Sequence, residues 1–237
     1  MIHEEKVIIG SNDINANLDI KLAAFFRIMQ DVIMRDTNEA GVGSSTLRKQ
    51  NILWVVTRMQ LEINRLPKYE EEVTCLTYPG ADMKMFYPRY FQMLDKDGNV
   101  LANLSSIWAI IDSETRRPIL KCPFSDKLHE EHLPNELPLP KKIEIEEELE
   151  LKENRKIHYS DVDLNNHLNN TRYIELLSDI HDSNFHQNHP VTSLTLNYLK
   201  EIKEGSSVKV FASNSNPEFV EINADGNLSF IAQIKYR

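Results

Sequence analysis

Two stretches of the chain repeat apolar residues every three or four positions, which is the spacing of a buried helix face. The first run, 21–39, contains Leu22, Phe25, Phe26, Met29, Val32 and Ile33. The second run, 169–181, contains Tyr173, Ile174, Leu176, Leu177 and Ile180. Gly41 follows the first run, and glycine is a common residue at the end of a helix. The pattern predicts one long helix and one shorter helix.

Runs rich in β-branched residues follow each predicted helix and indicate strands. They cover 54–64, 73–78 and 100–111 in the first part of the chain, and 191–199, 207–212 and 228–235 in the second. Asp97-Gly98 and Asp225-Gly226 precede the last run of each part, and Asp-Gly is a strong hairpin signal. Each part is therefore predicted to contain a strand, a helix and then several antiparallel strands.

The two parts also resemble each other in sequence. Residues 56–63 (VTRMQLEI) align without a gap on 191–198 (VTSLTLNY), an offset of 191 − 56 = 135. Residues 91–99 (FQMLDKDGN) align on 219–227 (FVEINADGN), an offset of 219 − 91 = 128. A bent sheet around one helix satisfies the order of elements in each part. We predict an α+β chain with two such domains, 1–120 and 156–237, joined by a proline-containing and acidic linker at 121–155.

The composition mainly excludes certain classes of protein and of partner. A chain of 237 residues that is 41% apolar can bury the core of one large domain or two small ones. A net charge of −9 argues against nucleic acid as the main partner, because phosphate binding needs a basic surface. No apolar run is long enough to cross a bilayer, and residues 1–6 carry acids rather than the apolar core of a signal peptide. The sequence predicts a cytoplasmic protein without stable membrane association.

The two cysteines, Cys75 and Cys122, have no neighbouring histidine or second cysteine at metal-ligand spacing. Two cysteines in a reducing compartment do not indicate a disulfide framework. We interpret both as structural and expect neither a metal nor another cofactor.

The segment 160–170 (SDVDLNNHLNN) concentrates polar side chains between an extended run and the second helical run. Such residues are common at turns and helix N-termini, so the segment by itself also fits a plain helix start. If it is extended, residues two apart point to the same side, and Asp163, Asn165 and His167 face one spot. A carboxylate, a carboxamide and an imidazole beside a helix N-terminus are groups suited to the hydrolysis of an acyl group.

With the motif D-x-N-x-H-x-N-N followed by Tyr173-Ile174, the chain resembles the acyl-acyl carrier protein thioesterases of plants and bacteria. Residues 77–84 (TYPGADMK) and 108–118 (WAIIDSETRRP) are also similar to segments of that family. The resemblance covers nearly the whole chain. It implies two tandem hotdog domains, each a bent antiparallel sheet wrapped around a long central helix, the first binding the acyl chain and the second catalytic.

The reaction that the resemblance implies is hydrolysis of a long- or medium-chain acyl-acyl carrier protein thioester, which releases free fatty acid and terminates fatty acid synthesis. The implied partner is acyl carrier protein. The implied catalytic residues are Asp163, Asn165, His167 and Glu201, the last in the context LTLNYLKE at 194–201. Plant members carry a cysteine after that acid; Ile202 stands there in this chain and cannot attack a carbonyl.

The backbone N–H groups of Asn169 and Asn170, at the start of the second helix, are predicted to bind the oxyanion. The offset of 135 maps Glu201 onto Leu66, and the turn of the first part has Asn15, Asn17 and Asp19 but no histidine. We therefore expect one site rather than two.

Two further sets of residues are candidates for binding the substrate. The candidates for lining the acyl chain are Met29, Met34, Trp54, Met59, Met83, Met85 and Phe86. The candidates for docking an acidic carrier protein are Arg116, Arg117, Lys84, Arg89 and Arg172.

Three other functions remain open at this point. A coenzyme A thioesterase would use the same site with a different carrier surface. A hotdog dehydratase often has a Gly-Pro-rich helix start, whereas this one is rich in asparagine. A non-catalytic acyl-binding regulator usually brings a DNA-binding segment, and no basic helix-turn-helix pattern is evident. The duplication can supply the usual hotdog pair within one chain, so a monomer is sufficient to form the site. A homodimer formed through exposed surface also remains open.

Overall fold

The computed structural model describes residues 2–120, 122–128, 130–133 and 136–237. The strands of the first half are β1 (His3–Ile8), β2 (Ile52–Ile63), β3 (Glu72–Pro79), β4 (Phe86–Leu94) and β5 (Val100–Asp112). Those of the second half are β6 (Glu150–Lys156), β7 (Val191–Tyr198), β8 (Ser207–Ala212), β9 (Glu218–Ala224) and β10 (Asn227–Tyr236). The helices are α1 (Leu22–Glu39), α2 (Ser44–Arg48), α3 (Asn170–Ser178) and α4 (Ser183–Asn188).

These strands form one antiparallel sheet in the order β1-β3-β4-β5-β2-β7-β10-β9-β8-β6. The halves join where β2 pairs with β7, from Arg58 opposite Asn197 to Glu62 opposite Ser193. Gln60 and Thr195 form the middle pair of this ladder, and their numbers differ by 195 − 60 = 135, the offset of the sequence repeat. The repeat is therefore arranged about a pseudo-twofold axis through that pair.

Helix α1 packs its apolar face into a core that both halves share. Phe25, Met29 and Val32 are buried there together with Tyr173 and Ile174 of α3. Burying each large apolar side chain stabilises the fold by about 1.5–3 kcal/mol relative to an exposed one. Gly41, with φ +71°, follows α1 and adopts the left-handed conformation expected after a helix end.

The second predicted helix, 169–181, is shorter in the structure, and a further helix that the sequence pattern does not predict follows it. Helix α3 ends at Ser178, and α4 begins after Asp182, whose side chain accepts a hydrogen bond of 2.8 Å from the Phe185 N–H. Helix α4 is polar apart from Phe185, so apolar periodicity does not reveal it.

The predicted linker reaches too far toward the C-terminus, because its last residues form β6. This strand lies at the edge of the sheet on β8, and most of its side chains are exposed, so the alternation typical of a half-buried strand is absent. Residues 121, 129, 134 and 135 of the predicted linker lie outside the described residues.

Both cysteines are buried and unpaired. Burial raises the pKa of Cys75 to about 12, which agrees with a structural role. In the part of the chain that the structure describes, no group of three or more His, Cys, Asp or Glu side chains is placed to hold a metal ion. Within that part, no helix has the length and hydrophobicity needed to span a membrane.

Candidate active site

A tight loop between the 3₁₀ turn Tyr159–Asp161 and α3 holds the polar motif. The Asp163 N–H donates to the His167 carbonyl at 2.8 Å, and the Asn166 N–H donates to the Asp163 carbonyl at 2.9 Å. Asn166 has φ +63°, a left-handed conformation that asparagine adopts more readily than most residues. The loop is therefore a hydrogen-bonded turn with Asp163 and His167 at its two sides.

The carboxylate of Asp163 organises this loop. Its Oδ1 accepts the backbone N–H of Asn165 at 2.8 Å and that of His167 at 3.3 Å. Its Oδ2 lies 3.4 Å from Nδ2 of Asn165. One carboxylate thus orders the two other polar residues of the motif.

Glu201 is brought to His167 by backbone pairing after β7. His167 forms an isolated antiparallel bridge with Lys203, and the Leu168 N–H donates to the Ile202 carbonyl at 2.7 Å. As a result, Nε2 of His167 and Oε2 of Glu201 lie 3.4 Å apart, with exposed side-chain fractions of 18% and 39%. The structure therefore brings the four predicted catalytic residues together, three of them on the loop and Glu201 on the adjacent segment after β7.

Arg116, predicted as a docking residue, instead pairs with Glu201. It lies in the turn after β5, where its N–H donates to the Asp112 carbonyl at 2.9 Å. Its guanidinium contacts Oε1 of Glu201, while Oε2 faces His167. Sequence reasoning did not assign this role, because the contact spans 85 residues and nothing local distinguishes Arg116 from Arg117.

Arg48, at the end of α2, is a second residue of the first half that sequence reasoning missed. Its Nη2 donates to the Leu164 carbonyl at 2.9 Å and to Oδ1 of Asn165 at 2.8 Å. The loop of the second half is therefore held by residues of both halves.

The predicted oxyanion site needs a correction at Asn169. Asn169 is the N-cap of α3, and its side chain accepts the Thr171 N–H at 2.9 Å. Its own N–H donates to the Asp161 carbonyl at 3.0 Å and is not available to a ligand. Asn170 lies next to it in the first turn of α3 and lines the cavity beside His167.

Two cavities share a lining residue beside the candidate site. A cavity of about 400 Å³ contains the polar residues of the loop together with Arg116 and Glu201. A narrower apolar slot of about 70 Å³ lies in the first half beside α1. Trp54 lines both spaces. Of the predicted acyl-lining residues, Met34 and Trp54 line the slot, Met29 and Met59 are buried in the core, and Met83 is exposed.

The family model described as the acyl-ACP thioesterase N-terminal domain matches residues 1–121, and that of the C-terminal domain matches residues 143–235. The chain belongs to the acyl-ACP thioesterase family.

Individual relatives of this acyl-ACP thioesterase family member are distant. A chloroplastic acyl-[acyl-carrier-protein] hydrolase of Cuphea viscosissima is 25% identical over 214 residues, which cover 84% of this chain and 51% of the relative. A chloroplastic oleoyl-acyl carrier protein thioesterase of Arabidopsis thaliana is 24% identical over 239 residues, covering 92% and 64%. The chain spans about half the length of the first of these relatives.

Solved structures confirm the predicted tandem hotdog fold. An acyl-ACP thioesterase from Bacteroides thetaiotaomicron superposes with a TM-score of 0.88 at 23% identity, covering 100% of this chain and 98% of the other. A 12:0-ACP thioesterase from Umbellularia californica gives a TM-score of 0.85 at 19% identity, covering 100% and 97%.

The two hotdogs of this thioesterase family member differ in the space beside the helix. Trp54 and Trp108 both line the apolar slot of the first half. The repeat offsets place His189 (54 + 135) and Tyr236 (108 + 128) at the equivalent positions of the second half. In the second half the ring of Phe185 packs against both of these counterparts. Its ring centroid lies 4.4 Å from that of His189 and 5.1 Å from that of Tyr236.

Two other predicted docking residues, one buried and one at the surface, have partners within the chain. Arg89 is buried and pairs with Asp36. Burial lowers the pKa of Arg89, and this effect outweighs the opposing effect of Asp36. Arg172 pairs with Glu175 and donates to the Ser160 carbonyl at 3.1 Å. Lys84 and Arg117 are exposed.

Proposed function

We propose that this chain hydrolyses the thioester of acyl-acyl carrier protein and releases free fatty acid and the carrier thiol. The observation that carries the proposal is the pair of His167 and Glu201, 3.4 Å apart, in a cavity that shares Trp54 with an apolar slot. A thioester carbonyl beside His167 has its acyl chain directed past Trp54 into the first hotdog. The names of the relatives describe this reaction class.

In the proposed mechanism His167 takes a proton from water as the water attacks the thioester carbonyl. The C–S bond then breaks, and the imidazolium returns the proton to the leaving thiolate. Glu201 orients the imidazole, and Arg116 fixes Glu201 from the other side. General-base catalysis of this kind contributes about 10²–10⁴-fold, and such hydrogen bonds are often long before substrate binds.

Negative charge develops on the carbonyl oxygen in the transition state. We assign its stabilisation to the Asn170 N–H at the start of α3 and to Nδ2 of Asn165, both at the cavity. Losing one such donor typically costs about 10²–10³-fold in rate.

Asp163 has the role of organising the loop in this proposal, because its oxygens already bind the loop. A carboxylate of Asp163 or Glu201 that attacked the carbonyl would instead form a transient anhydride. Single turnover in heavy-oxygen water tests the anhydride route. Heavy oxygen in either carboxylate would establish an anhydride that water opens at the enzyme's carboxyl carbon, and heavy oxygen in the fatty acid alone would exclude that route.

We propose that the carrier protein approaches from the outer side of the site. A cavity of about 540 Å³ there is lined by Arg48, Arg116 and Lys203, and it shares His167 and Glu201 with the inner cavity. Lys203 is exposed on this rim and offers a positive charge to an acidic carrier, although the chain has a net charge of −9. A cytoplasmic location and a homodimer stay predictions.

The test is thiol release from acyl carrier protein and coenzyme A thioesters of varied chain length. Wild type should turn over the carrier-bound substrate faster than the coenzyme A substrate. His167→Ala and Glu201→Gln should lose at least about 10²-fold in kcat while staying folded. Preference for coenzyme A would assign the other carrier, and no turnover by folded wild type would overturn the proposal.

A further inference from the structure

Arg48 joins the short helix of the first hotdog to the loop of the second. One guanidinium nitrogen, Nη2, donates to the Leu164 carbonyl at 2.9 Å and to Oδ1 of Asn165 at 2.8 Å. These partners are 116 and 117 residues further along the chain. The contact therefore depends on the way the two halves join, and it ends on a residue of the candidate site.

The contact determines which way the Asn165 amide faces. A side-chain amide has an acceptor on one side and two donors on the other, whereas a guanidinium has donors only. Arg48 therefore binds the oxygen and repels the NH₂ group. With Oδ1 turned to Arg48, Nδ2 lies on the side of Asp163, 3.4 Å from its Oδ2, and Asn165 lines the inner cavity.

We propose that Arg48 is a positioning residue that holds the Asn165 amide with its donor toward the reacting carbonyl. This inference rests on the proposed hydrolysis. In the flipped amide, Oδ1 would face the developing oxyanion and repel it, so an arginine that fixes the orientation lowers the barrier without touching the reacting atoms.

Two other roles for Arg48 make different predictions. A docking residue would affect only substrates that are bound to the carrier protein. A structural brace would act on the loop independently of Asn165. The chain offers a matched control in Lys49, which is the next residue, is exposed and carries the same charge.

The kinetic experiment compares Arg48→Met, Arg48→Lys, Lys49→Met, Asn165→Ala and the Arg48→Met/Asn165→Ala double variant. Each is measured with an acyl-carrier substrate and with a small acyl thioester. We expect Arg48→Met to lower kcat about 10-fold on both substrates with little change in KM. Arg48→Lys should recover part of the rate, because an ammonium group also donates to Oδ1, and Lys49→Met should leave kcat unchanged.

The double variant tests whether Arg48 acts through Asn165. Asn165→Ala removes the amide, so adding Arg48→Met to it should cost no further rate. An equal loss in the presence and absence of Asn165 would overturn the proposal. A rise in KM for the carrier-bound substrate alone would overturn it as well.

A second readout does not depend on turnover. The side-chain amide signal of Asn165 in a ¹⁵N-correlated NMR spectrum is identified by its loss in Asn165→Ala. This signal should shift in Arg48→Met and stay in place in Lys49→Met. An unchanged signal in Arg48→Met overturns the positioning role even if thioesters are hydrolysed. A shifted signal with no hydrolysis by wild type would contradict the proposed function instead.

Discussion

Asp19 and Lys68 form an ion pair of 3.0 Å at the place in the first hotdog where the second has the candidate active-site loop. The backbone of Asp19 forms an isolated antiparallel bridge with Lys68, just as that of His167 does with Lys203. The two lysines correspond to each other in the sequence repeat, since 68 + 135 = 203. Leu18 and Asn166, which precede Asp19 and His167, both have φ +63°. The first hotdog thus keeps the backbone of the loop and replaces its imidazole with an acid that a lysine neutralises, which agrees with a single site.

The pairing of Arg116 with Glu201 predicts a catalytic phenotype. Arg116→Met should lower kcat about 10-fold or more on carrier-bound and small thioesters alike, because Glu201 loses the partner that fixes its carboxylate. Steady-state kinetics on both substrates measure this. Arg117→Met, at the exposed neighbour, is the matched control and should keep kcat. A rise in KM for the carrier-bound substrate alone would return Arg116 to a docking role.

Lys203 on the outer rim should act on carrier recognition. Lys203→Glu is expected to raise KM for acyl-acyl carrier protein severalfold at low salt and to leave small thioesters unaffected, since it reverses a charge facing an acidic partner. The effect should shrink as salt is added. Lys209→Glu, at an exposed position of β8, controls for the change in net charge. Equal effects of both variants would place the carrier elsewhere.

Met34 in the apolar slot should limit chain length. Met34→Trp fills part of a space of about 70 Å³, so kcat/KM for the longest accepted chains should fall by about fourfold for each methylene excluded. Shorter chains should be affected less. A chain-length series with Met83→Trp, at an exposed position, provides the comparison. A uniform loss over all chain lengths would argue that the acyl chain does not enter this slot.

The buried pair of Arg89 and Asp36 should matter for stability rather than for docking. Asp36→Asn leaves a buried guanidinium without its counter-charge and should cost about 3–5 kcal/mol in the free energy of unfolding. Urea denaturation measures this cost. Asp31→Asn, in the same helix and in an exposed pair with Arg27 at 3.5 Å, should cost less than about 1 kcal/mol. Similar costs for the two variants would mean that the buried pair contributes no more to stability than the exposed pair.

The buried thiol of Cys75 should make the folded protein less stable at alkaline pH. Its pKa is raised from 9.0 to about 12 by burial, so between these values the unfolded chain loses a proton that the folded chain keeps. Stability is thus fully present below pH 9 and falls as pH rises toward 12. Cys75→Ala should make the decline measured by urea titration shallower, by up to about 1.4 kcal/mol per pH unit. An unchanged slope would show that other groups cause it.

Local patterns in the sequence predict much of this molecule. Helical spacing identifies α1. Asp163, Asn165 and His167 lie together as predicted, but through a tight turn around Asp163 and not through the extended backbone on which the prediction depended. The edge strand β6 is hidden because its exposed side chains lack alternation. The roles of Arg48 and Arg116 are hidden because their partners lie 117 and 85 residues away. The N–H of Asn169 is wrongly predicted to be free for an oxyanion, because its bond to the Asp161 carbonyl comes from the fold of the loop and not from a local sequence pattern.

Fusing the two hotdogs in one chain removes the constraint that symmetry places on a homodimer. In a pair of identical subunits, every substitution appears on both sides of the axis. Across the axis at Gln60 and Thr195, this chain instead has an open slot on one side, and on the other Phe185 packs on the counterparts of the slot's two tryptophans. A substitution that changes the slot of the first hotdog therefore has no copy in the second and leaves its packing intact. The two halves can thus diverge in the space they enclose while they keep the same backbone.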